Sequence, residues 1–275
     1  MSGLRQLRQS DGFTLVEMVM VIIILGVMVL GVSSFVIMGT RIFVESTTVD
    51  QVLSQSRFVM ERMTREIRNA VPNSLRVTKN PATFQCIEFV PIQACASYID
   101  LPISPETTSL TGTVMTPSLG INKDHRMLVY PLQLTHIYSA TPTASEGRLF
   151  DIDKYDATTN TVTFDRAVRF SEASPRRRFF MVDNAVSYCF FANGNIRRYA
   201  SYNMFNVTQP TATQMGGNAK SALMAENVVI KDGNWPIFYT PGTLINNAVV
   251  QLTPQFEVNG QAFQYQHQVQ VVNVP

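Results

Sequence analysis

The first long pattern in the chain is an apolar run over residues 13–38, in which Glu17 is the one charged residue. The run has about 26 residues, more than the ~20 that an α-helix needs to cross the hydrocarbon core of a bilayer. The pattern therefore predicts a membrane-spanning helix near the start of the chain.

Apolar and small residues continue at three- and four-residue steps after this run, while charged residues occupy the opposite faces. The spacing predicts an amphipathic helix over residues 39–71 that continues the first helix without a proline and stops at Pro72-Asn73. We expect its apolar stripe to pack on a sheet. The stripe consists of Val49, Val52, Leu53, Ser56, Val59, Met60, Met63, Ile67 and Ala70.

From residue 75 the hydrophobic period changes to two and turn-forming residues become frequent. This change predicts a mostly antiparallel β head over residues 72–275, so the fold class is α+β. Asn193-Gly194 and Asn259-Gly260 each predict a two-residue type I′ hairpin. The predicted strands are 75–78, 83–90, 97–101, 126–139, 161–165, 178–182, 185–192, 195–201, 227–231, 237–239, 249–258 and 262–273.

Two stretches between the strands, residues 104–122 and 208–217, are rich in Ser, Thr, Pro and Gly, which predicts long surface loops. The basic run at residues 176–178 has two interpretations, a solvated turn or an electrostatic contact with DNA, a surface or an acidic partner. The aromatic residues of 235–239 are predicted to pack in the core.

The residues before the apolar run indicate how the N-terminus is processed. Arg5 and Arg8 precede Gly12, and the positive-inside rule places these arginines in the cytoplasm and the head on the opposite side of the membrane. A secretory signal has its small-residue cleavage site after the apolar stretch, whereas here the candidate site lies before it. Cleavage between Gly12 and Phe13 would remove a leader, residues 1–12, and retain the helix.

Glu17 needs a reason to lie in an apolar helix. A carboxylate there costs about 2.5–3.5 kcal/mol on insertion scales, so such residues usually have a partner and a function. Cleavage before Phe13 would create an α-amine, and this cation on a neighbouring subunit is the partner we expect for Glu17. The pair would then guide one helix alongside another during assembly.

The composition gives little sign of other chemistry. The net charge of +2 and the isoelectric point of about 8.4 are too mild for a nucleic-acid-binding footprint, so no nucleic-acid partner is expected. The three histidines, His125, His136 and His267, are isolated and lack metal-ligand spacing. The sequence therefore predicts no catalytic activity, no metal and no cofactor.

Three cysteines, Cys86, Cys95 and Cys189, lie outside the predicted span, in an expected periplasmic setting where disulfides persist. An odd number leaves one thiol over or joins two chains. Cys86 with Cys95 is the first choice because the two are close in sequence. A tight hairpin of residues 83–90 with 96–101 would separate them, and Cys189 would then be a candidate partner for either.

The segment Gly12-Phe13-Thr14-Leu15-Val16-Glu17 resembles the processing motif of type IV pilins and type II secretion pseudopilins. The resemblance implies that a prepilin peptidase cleaves after Gly12 and N-methylates Phe13, and that Glu17 neutralises the amine of the adjacent subunit. It also implies a pilin-like fold, and as partners the other minor and major pilins and an inner-membrane assembly platform. The chain would be a single-pass inner-membrane protein with a periplasmic head before it enters a fibre.

Looser similarities in residues 55–70, 186–190 and 268–275 resemble J-type pseudopilins and W-type minor pilins. They imply a minor subunit that is incorporated at low copy, at the tip, and primes fibre assembly; a head of about 200 residues is large for a subunit that packs in every position. The alternatives are a J-type secretion pseudopilin, and a tip adhesin or DNA-binding pilin that uses the loops 104–122 and 208–217. An enzyme tethered by its N-terminus is a more distant alternative.

Overall fold

The computed structural model describes residues 12–117, 119–216, 220–231, 233–243 and 246–271. The chain divides into two compact units, residues 1–51 and 52–275. The longest element, helix α1, runs from Leu15 to Arg68 and contributes to both units. The sequence therefore predicted both of its ends to within about three residues.

Within the second unit, one face of α1 is buried by Val52, Ser56, Val59, Met60, Met63, Thr64 and Ile67. Six of these belong to the predicted stripe, and Thr64 is the addition. The same part of the helix is held to the sheet by Glu66, whose two carboxylate oxygens accept hydrogen bonds from Arg62 and Arg198, each at 2.9 Å. Arg62 lies four residues away on the same helix, whereas Arg198 lies on strand β11.

The rest of the second unit is mostly antiparallel sheet, as expected. Its strands are β1 (Arg76–Asn80), β2 (Phe84–Phe89), β3 (Ile92–Asp100), β4 (Ser109–Val114), β5 (Arg126–Val129), β6 (Glu146–Gly147), β7 (Leu149–Asp156), β8 (Thr161–Phe170), β9 (Arg178–Val182), β10 (Ala185–Phe191), β11 (Ile196–Tyr202), β12 (Lys220–Ala225), β13 (Val228–Val229), β14 (Ile237–Thr240), β15 (Ala248–Leu252), β16 (Gln255–Val258), β17 (Gln261–Gln264) and β18 (His267–Val271). Two short helices, α2 (Thr135–Tyr138) and α3 (Ala212–Gly216), lie between strands.

The first sheet has the antiparallel order β1-β2-β10-β11-β12. Between β2 and β10 the chain leaves this sheet and forms a second one, in which β4, β3, β9, β5, β7 and β8 pair in turn and β8 pairs back with β4. These six antiparallel strands close into a small barrel, which removes the exposed edges of an open sheet. Strand β6 adds to β8 in parallel.

The barrel interior is filled by side chains. Phe150, Phe164 and Phe170 are fully buried and meet edge to face, with ring centres 4.9–6.5 Å apart. Strand β9 is shared with the rest of the head, because Phe179 belongs to the barrel core and Phe180 to the core beside the first sheet. The barrel and the first sheet therefore share one wall.

Two three-stranded sheets, β13-β16-β17 and β14-β15-β18, complete the head. The buried side chain of Gln85 on β2 connects the second of them to the first sheet, since its amide donates to the carbonyl of Ile237 at 2.7 Å and accepts from the amide of Ile237 at 3.0 Å. Trp235 and Ile237 are buried, as predicted for the aromatic segment, whereas Phe238 is 54% exposed.

The preferred cysteine pairing was wrong. Cys86 forms a disulfide with Cys189, and Cys95 is free and exposed. The reason is the strand order: Cys86 on β2 lies directly opposite Cys189 on β10, with their Cα atoms 4.1 Å apart. Cys95 is on β3, which pairs with β9 in the other sheet, so Cys95 is opposite Phe180. Residues 83–90 and 96–101 do not form a hairpin with each other.

This pairing predicts the result of a thiol-mapping experiment. Alkylation of the denatured, unreduced chain should modify Cys95 alone, and reduction before alkylation should add Cys86 and Cys189. Peptide mass spectrometry measures the modified sites. Modification of Cys86 without reduction would contradict the pairing.

Other local predictions also needed correction. The predicted loop 104–122 contains β4, and 208–217 contains α3; residues 118 and 217 lie outside the described residues. The predicted strand 126–139 is β5 followed by α2, and 249–258 divides into β15 and β16 around Pro254, which cannot donate a ladder hydrogen bond. The last predicted strand, 262–273, divides into β17 and β18, with residues 272–273 outside the description.

The two Asn-Gly turns differ from each other. Asn259 and Gly260 have φ of 51° and 76°, the conformation of a type I′ hairpin, as predicted. At the first turn Gly194 has φ of 89° but Asn193 is not left-handed, and the Gly194 amide donates to the carbonyl of Phe191. This loop is a longer turn closed by a left-handed glycine, so the type I′ prediction was wrong here.

Candidate processing and assembly site

The start of α1 is organised by Thr14. Gly12, Phe13 and Thr14 precede the first helical residue, and the Thr14 hydroxyl accepts a hydrogen bond from the Glu17 amide at 3.3 Å. The Thr14 carbonyl accepts from the Met18 amide at 3.2 Å. Thr14 is therefore the helix N-cap, and Thr14-Leu15-Val16-Glu17 has the form of a capping box. The Thr-x-x-Glu spacing indicates this role, which was not among the predictions made from the sequence.

The cap explains part of the position of Glu17. A carboxylate in the first helical turn is favoured by the helix dipole by about 0.3–1 kcal/mol. This gain is smaller than the cost of about 2.5–3.5 kcal/mol for a carboxylate deep in an apolar helix. The helix dipole therefore offsets only part of the cost if Glu17 enters lipid.

The first half of α1 exposes its apolar side chains on every side. Large apolar residues from Phe13, which is 77% exposed, to Val44 all lie outside the core. This segment is long and apolar enough to cross a membrane, and none of its most apolar 18-residue window is buried. An apolar surface of this extent needs lipid or other helices around it.

Gly12 is not required by packing. It is exposed, and a Cβ added to it would have no heavy atom of the described residues within 4 Å apart from its chain neighbours. Packing against the described residues therefore gives no reason for a glycine at this position.

The comparisons with known proteins bear on this same segment. Residues 7–33 match the family model described as the prokaryotic N-terminal methylation motif. The chain carries a type IV pilin-like signal. The motif indicates a pilin- or pseudopilin-like precursor that is processed by prepilin peptidase, anchored in a membrane and assembled with pilus components, and it is typical of structural subunits. Searches of curated proteins and of solved structures found no match.

The structure places the other sequence candidates apart from this segment. The histidines are in three different places: His125 Nδ1 accepts from the Asn122 amide at 3.3 Å, His136 in α2 accepts from the Leu132 amide at 3.2 Å, and His267 begins β18. Burial lowers the pKa of His136. Within the described ranges, no three His, Cys, Asp or Glu residues are grouped to hold a metal ion.

The basic run lies in the turn that leads into β9, and Arg178 is the first residue of that strand. Arg176 and Arg177 are exposed, Arg177 has φ of 52°, and its carbonyl accepts from the Tyr98 amide at 2.8 Å. The turn geometry fits the solvated interpretation of this run.

Proposed function

We propose that the mature chain begins at Phe13 and is a minor pilin or pseudopilin that enters a pilus-like fibre at low copy and primes its assembly at the tip. The observation that carries this proposal is the methylation motif at residues 7–33, joined directly to a helix whose first half is apolar and exposed on all sides. A simple membrane tether would need the apolar length but neither the motif nor Glu17.

During assembly, the apolar first half of α1 exchanges its contacts with lipid for contacts with the helices of other subunits. Burial of one Val, Leu, Ile or Met side chain is worth about 1.5–3 kcal/mol relative to water, so this half of α1 cannot leave the bilayer alone. Lateral packing against other subunits keeps the surface covered as a subunit moves from lipid into a fibre. Glu17 opposite the Phe13 amine of a neighbour would set the stagger between helices.

We further propose that the chain is the minor pseudopilin known as the O protein of a mannose-sensitive haemagglutinin (MSHA) type pilus. It is supported by the size of the head and by the similarities in residues 55–70, 186–190 and 268–275 to J-type and W-type subunits. A J-type secretion pseudopilin has the same architecture and the same N-terminal chemistry, and the neighbouring genes distinguish the two.

A tip adhesin is less well supported by the head. Of the two loops that would carry ligand binding, 104–122 contributes β4 to the closed barrel, and α3 within 208–217 buries Ala212 and Met215. Deletion of these segments would therefore disturb the core as well as a surface.

Replacement of Glu17 by alanine tests the assembly role. The Glu17→Ala chain should be processed normally, yet its incorporation into sheared fibres should fall about tenfold or more, a change of at least about 1.4 kcal/mol. The reason is that the neighbour's amine loses its counter-charge while the apolar surface of the helix is kept. Quantitative immunoblotting of fibre and membrane fractions measures the effect.

Glu45→Ala is the matched control, because Glu45 is an exposed carboxylate on the same helix beyond the apolar run. It should be incorporated like the wild type. Wild-type incorporation of the Glu17→Ala chain, or an equal loss in both variants, would contradict the role of Glu17.

A further inference from the structure

The head contains a large open groove that the proposed function does not use. The groove has a volume of about 1260 Å³. It is lined by the last turns of α1 and Asn69, and by residues of the stretches 91–93, 183–186, 198–201 and 265–267 and Lys220. Pockets for small molecules usually measure about 300–1,000 Å³. The size therefore suits a segment of a polypeptide better than a metabolite.

The walls of the groove carry an excess of positive charge. The cationic side chains are Arg57, Arg65, Arg68, Arg198 and Lys220, and the carboxylates are Glu61, Glu66 and Asp183. Glu66 and Arg198 satisfy each other at 2.9 Å. Arg57, Arg65, Arg68 and Lys220 are exposed, and none has a carboxylate within 4.0 Å among the described residues. Apart from the Glu66–Arg198 pair, the groove therefore has four cationic side chains and two carboxylates, Glu61 and Asp183.

The floor is apolar and contains one unsatisfied polar group. Met60 and Val186 line it and are each 5% exposed. Thr64 also lines it, and its buried hydroxyl has no hydrogen-bond partner in the described part of the chain. On the same helix Thr47 and Thr48 donate to carbonyls four residues earlier, at 2.8 and 2.7 Å. The helix therefore does not satisfy Thr64 in the usual way.

The rim is shaped by a β-bulge. Between the pairs Ala185 with Tyr202 and Ser187 with Tyr199, strand β11 has one residue more than β10. Ser201, which lines the groove, has φ of 60°, an unfavourable conformation for a residue with a side chain. Bulges and strained residues of this kind are enriched beside binding sites, where they redirect side chains.

We propose that this groove binds an acidic segment of a partner protein, with small or apolar side chains of that segment on the Met60 and Val186 floor and its carboxylates at Arg57, Arg65 and Arg68. Nucleic acid fits less well, because Glu61 and Asp183 stand among the cations and would repel a continuous phosphate backbone. A peptide with spaced carboxylates meets the cations and avoids these two residues. The site is separate from the N-terminal assembly segment, so it does not depend on how the fibre is built.

A direct binding experiment tests the proposal with the full chain in detergent micelles. The probe is a fluorescent decapeptide that alternates glutamate and alanine, and its Kd is measured by fluorescence anisotropy. The variant Arg57→Gln/Arg65→Gln/Arg68→Gln should bind at least tenfold more weakly than the wild type. Its thermal unfolding midpoint should not change, because all three side chains are exposed.

The matched control removes three arginines elsewhere, as Arg176→Gln/Arg177→Gln/Arg178→Gln, and should bind the peptide within about twofold of the wild type. Absence of binding to the wild type, equal binding by the groove variant, or an equal loss in the control would overturn the proposal. So would a peptide with glutamine in place of glutamate that binds as tightly, or a ten-nucleotide single-stranded DNA that binds more tightly than the acidic peptide.

Discussion

The Gly12→Val chain should accumulate as an uncut precursor, with conversion to the mature form reduced to background. A peptidase must bring its catalytic groups close to the backbone on both sides of the cleaved bond, and a β-branched side chain at Gly12 blocks that approach and stiffens the segment. Apart from its neighbours in the chain, an added Cβ at Gly12 would have no heavy atom of the described residues within 4 Å, so the fold itself should tolerate the substitution. Intact-mass measurement and N-terminal sequencing of membrane fractions report the outcome.

Gly39→Val is the matched control for this experiment, because an added side chain at Gly39 also meets open space but lies far along the helix. This variant should mature like the wild type. A Gly12→Val product that begins at a methylated Phe13 would contradict the requirement for glycine before the cleaved bond. A wild-type product that still begins at Met1, or that begins beyond residue 38, would refute the shared-helix mechanism as a whole.

Arg76→Ala should destabilise the head by about 3–5 kcal/mol, the usual cost of removing one partner of a buried ion pair. Arg76 Nε and Nη2 donate to the two carboxylate oxygens of Glu88 at 3.0 and 3.1 Å, and Glu88 is fully buried. Arg76 Nη1 donates to the carbonyls of Asn206 and Val207 at 2.9 Å, and its guanidinium lies 3.7 Å from the ring centre of Tyr138. Alanine leaves the Glu88 carboxylate and two carbonyls without these partners. Chemical denaturation of the purified chain measures the loss.

The pH dependence of this loss identifies its cause. Burial raises the pKa of Glu88, and Arg76 opposes that rise in part. A carboxyl whose pKa is higher in the folded state than in the unfolded state favours folding most below its unfolded pKa, and this contribution disappears as pH rises through the folded pKa. Without Arg76 the pKa of Glu88 should rise further, so the penalty of Arg76→Ala should be larger at pH 7 than at pH 4.5.

Lys231→Ala is the comparison for an exposed pair. Lys231 and Glu257 are 3.5 Å apart and their side chains are 56% and 40% exposed, so the loss should be less than about 1 kcal/mol at either pH. A penalty for Arg76→Ala that is equally small, or that is the same at both pH values, would show that the pair does not hold a buried charge.

The parts of the structure that depend on local pattern were the predictable ones. The extent of α1 and its buried stripe follow from helical spacing, and strand β9 follows from an apolar run with its own boundaries. Thr14 could have been recognised as the cap from the Thr-x-x-Glu spacing alone. For the N-terminal segment, sequence reasoning reached Gly12, Phe13 and Glu17, and these roles stay predictions.

The barrel could not be predicted in the same way, because its closure depends on pairs of strands that are distant in sequence, such as β4 with β8 and β3 with β9. Strand β4 consists largely of serine, threonine and glycine, so its composition resembled a loop. The disulfide has the same origin: Cys86 and Cys189 are 103 residues apart, and no local signal brings them together. The groove likewise forms where six separate stretches of the chain meet, and none of them is distinctive alone.

The position of the barrel segment in the sequence affects how a head domain of this kind could evolve. The barrel is an excursion between two strands that are hydrogen-bonded neighbours, with Phe89 opposite Val186, so its entry and exit points lie side by side. During evolution another domain could therefore replace the barrel without altering the register of the first sheet. The replacement would have to supply the apolar face that β9 presents. The Cys86–Cys189 disulfide would keep β2 and β10 paired in each such replacement.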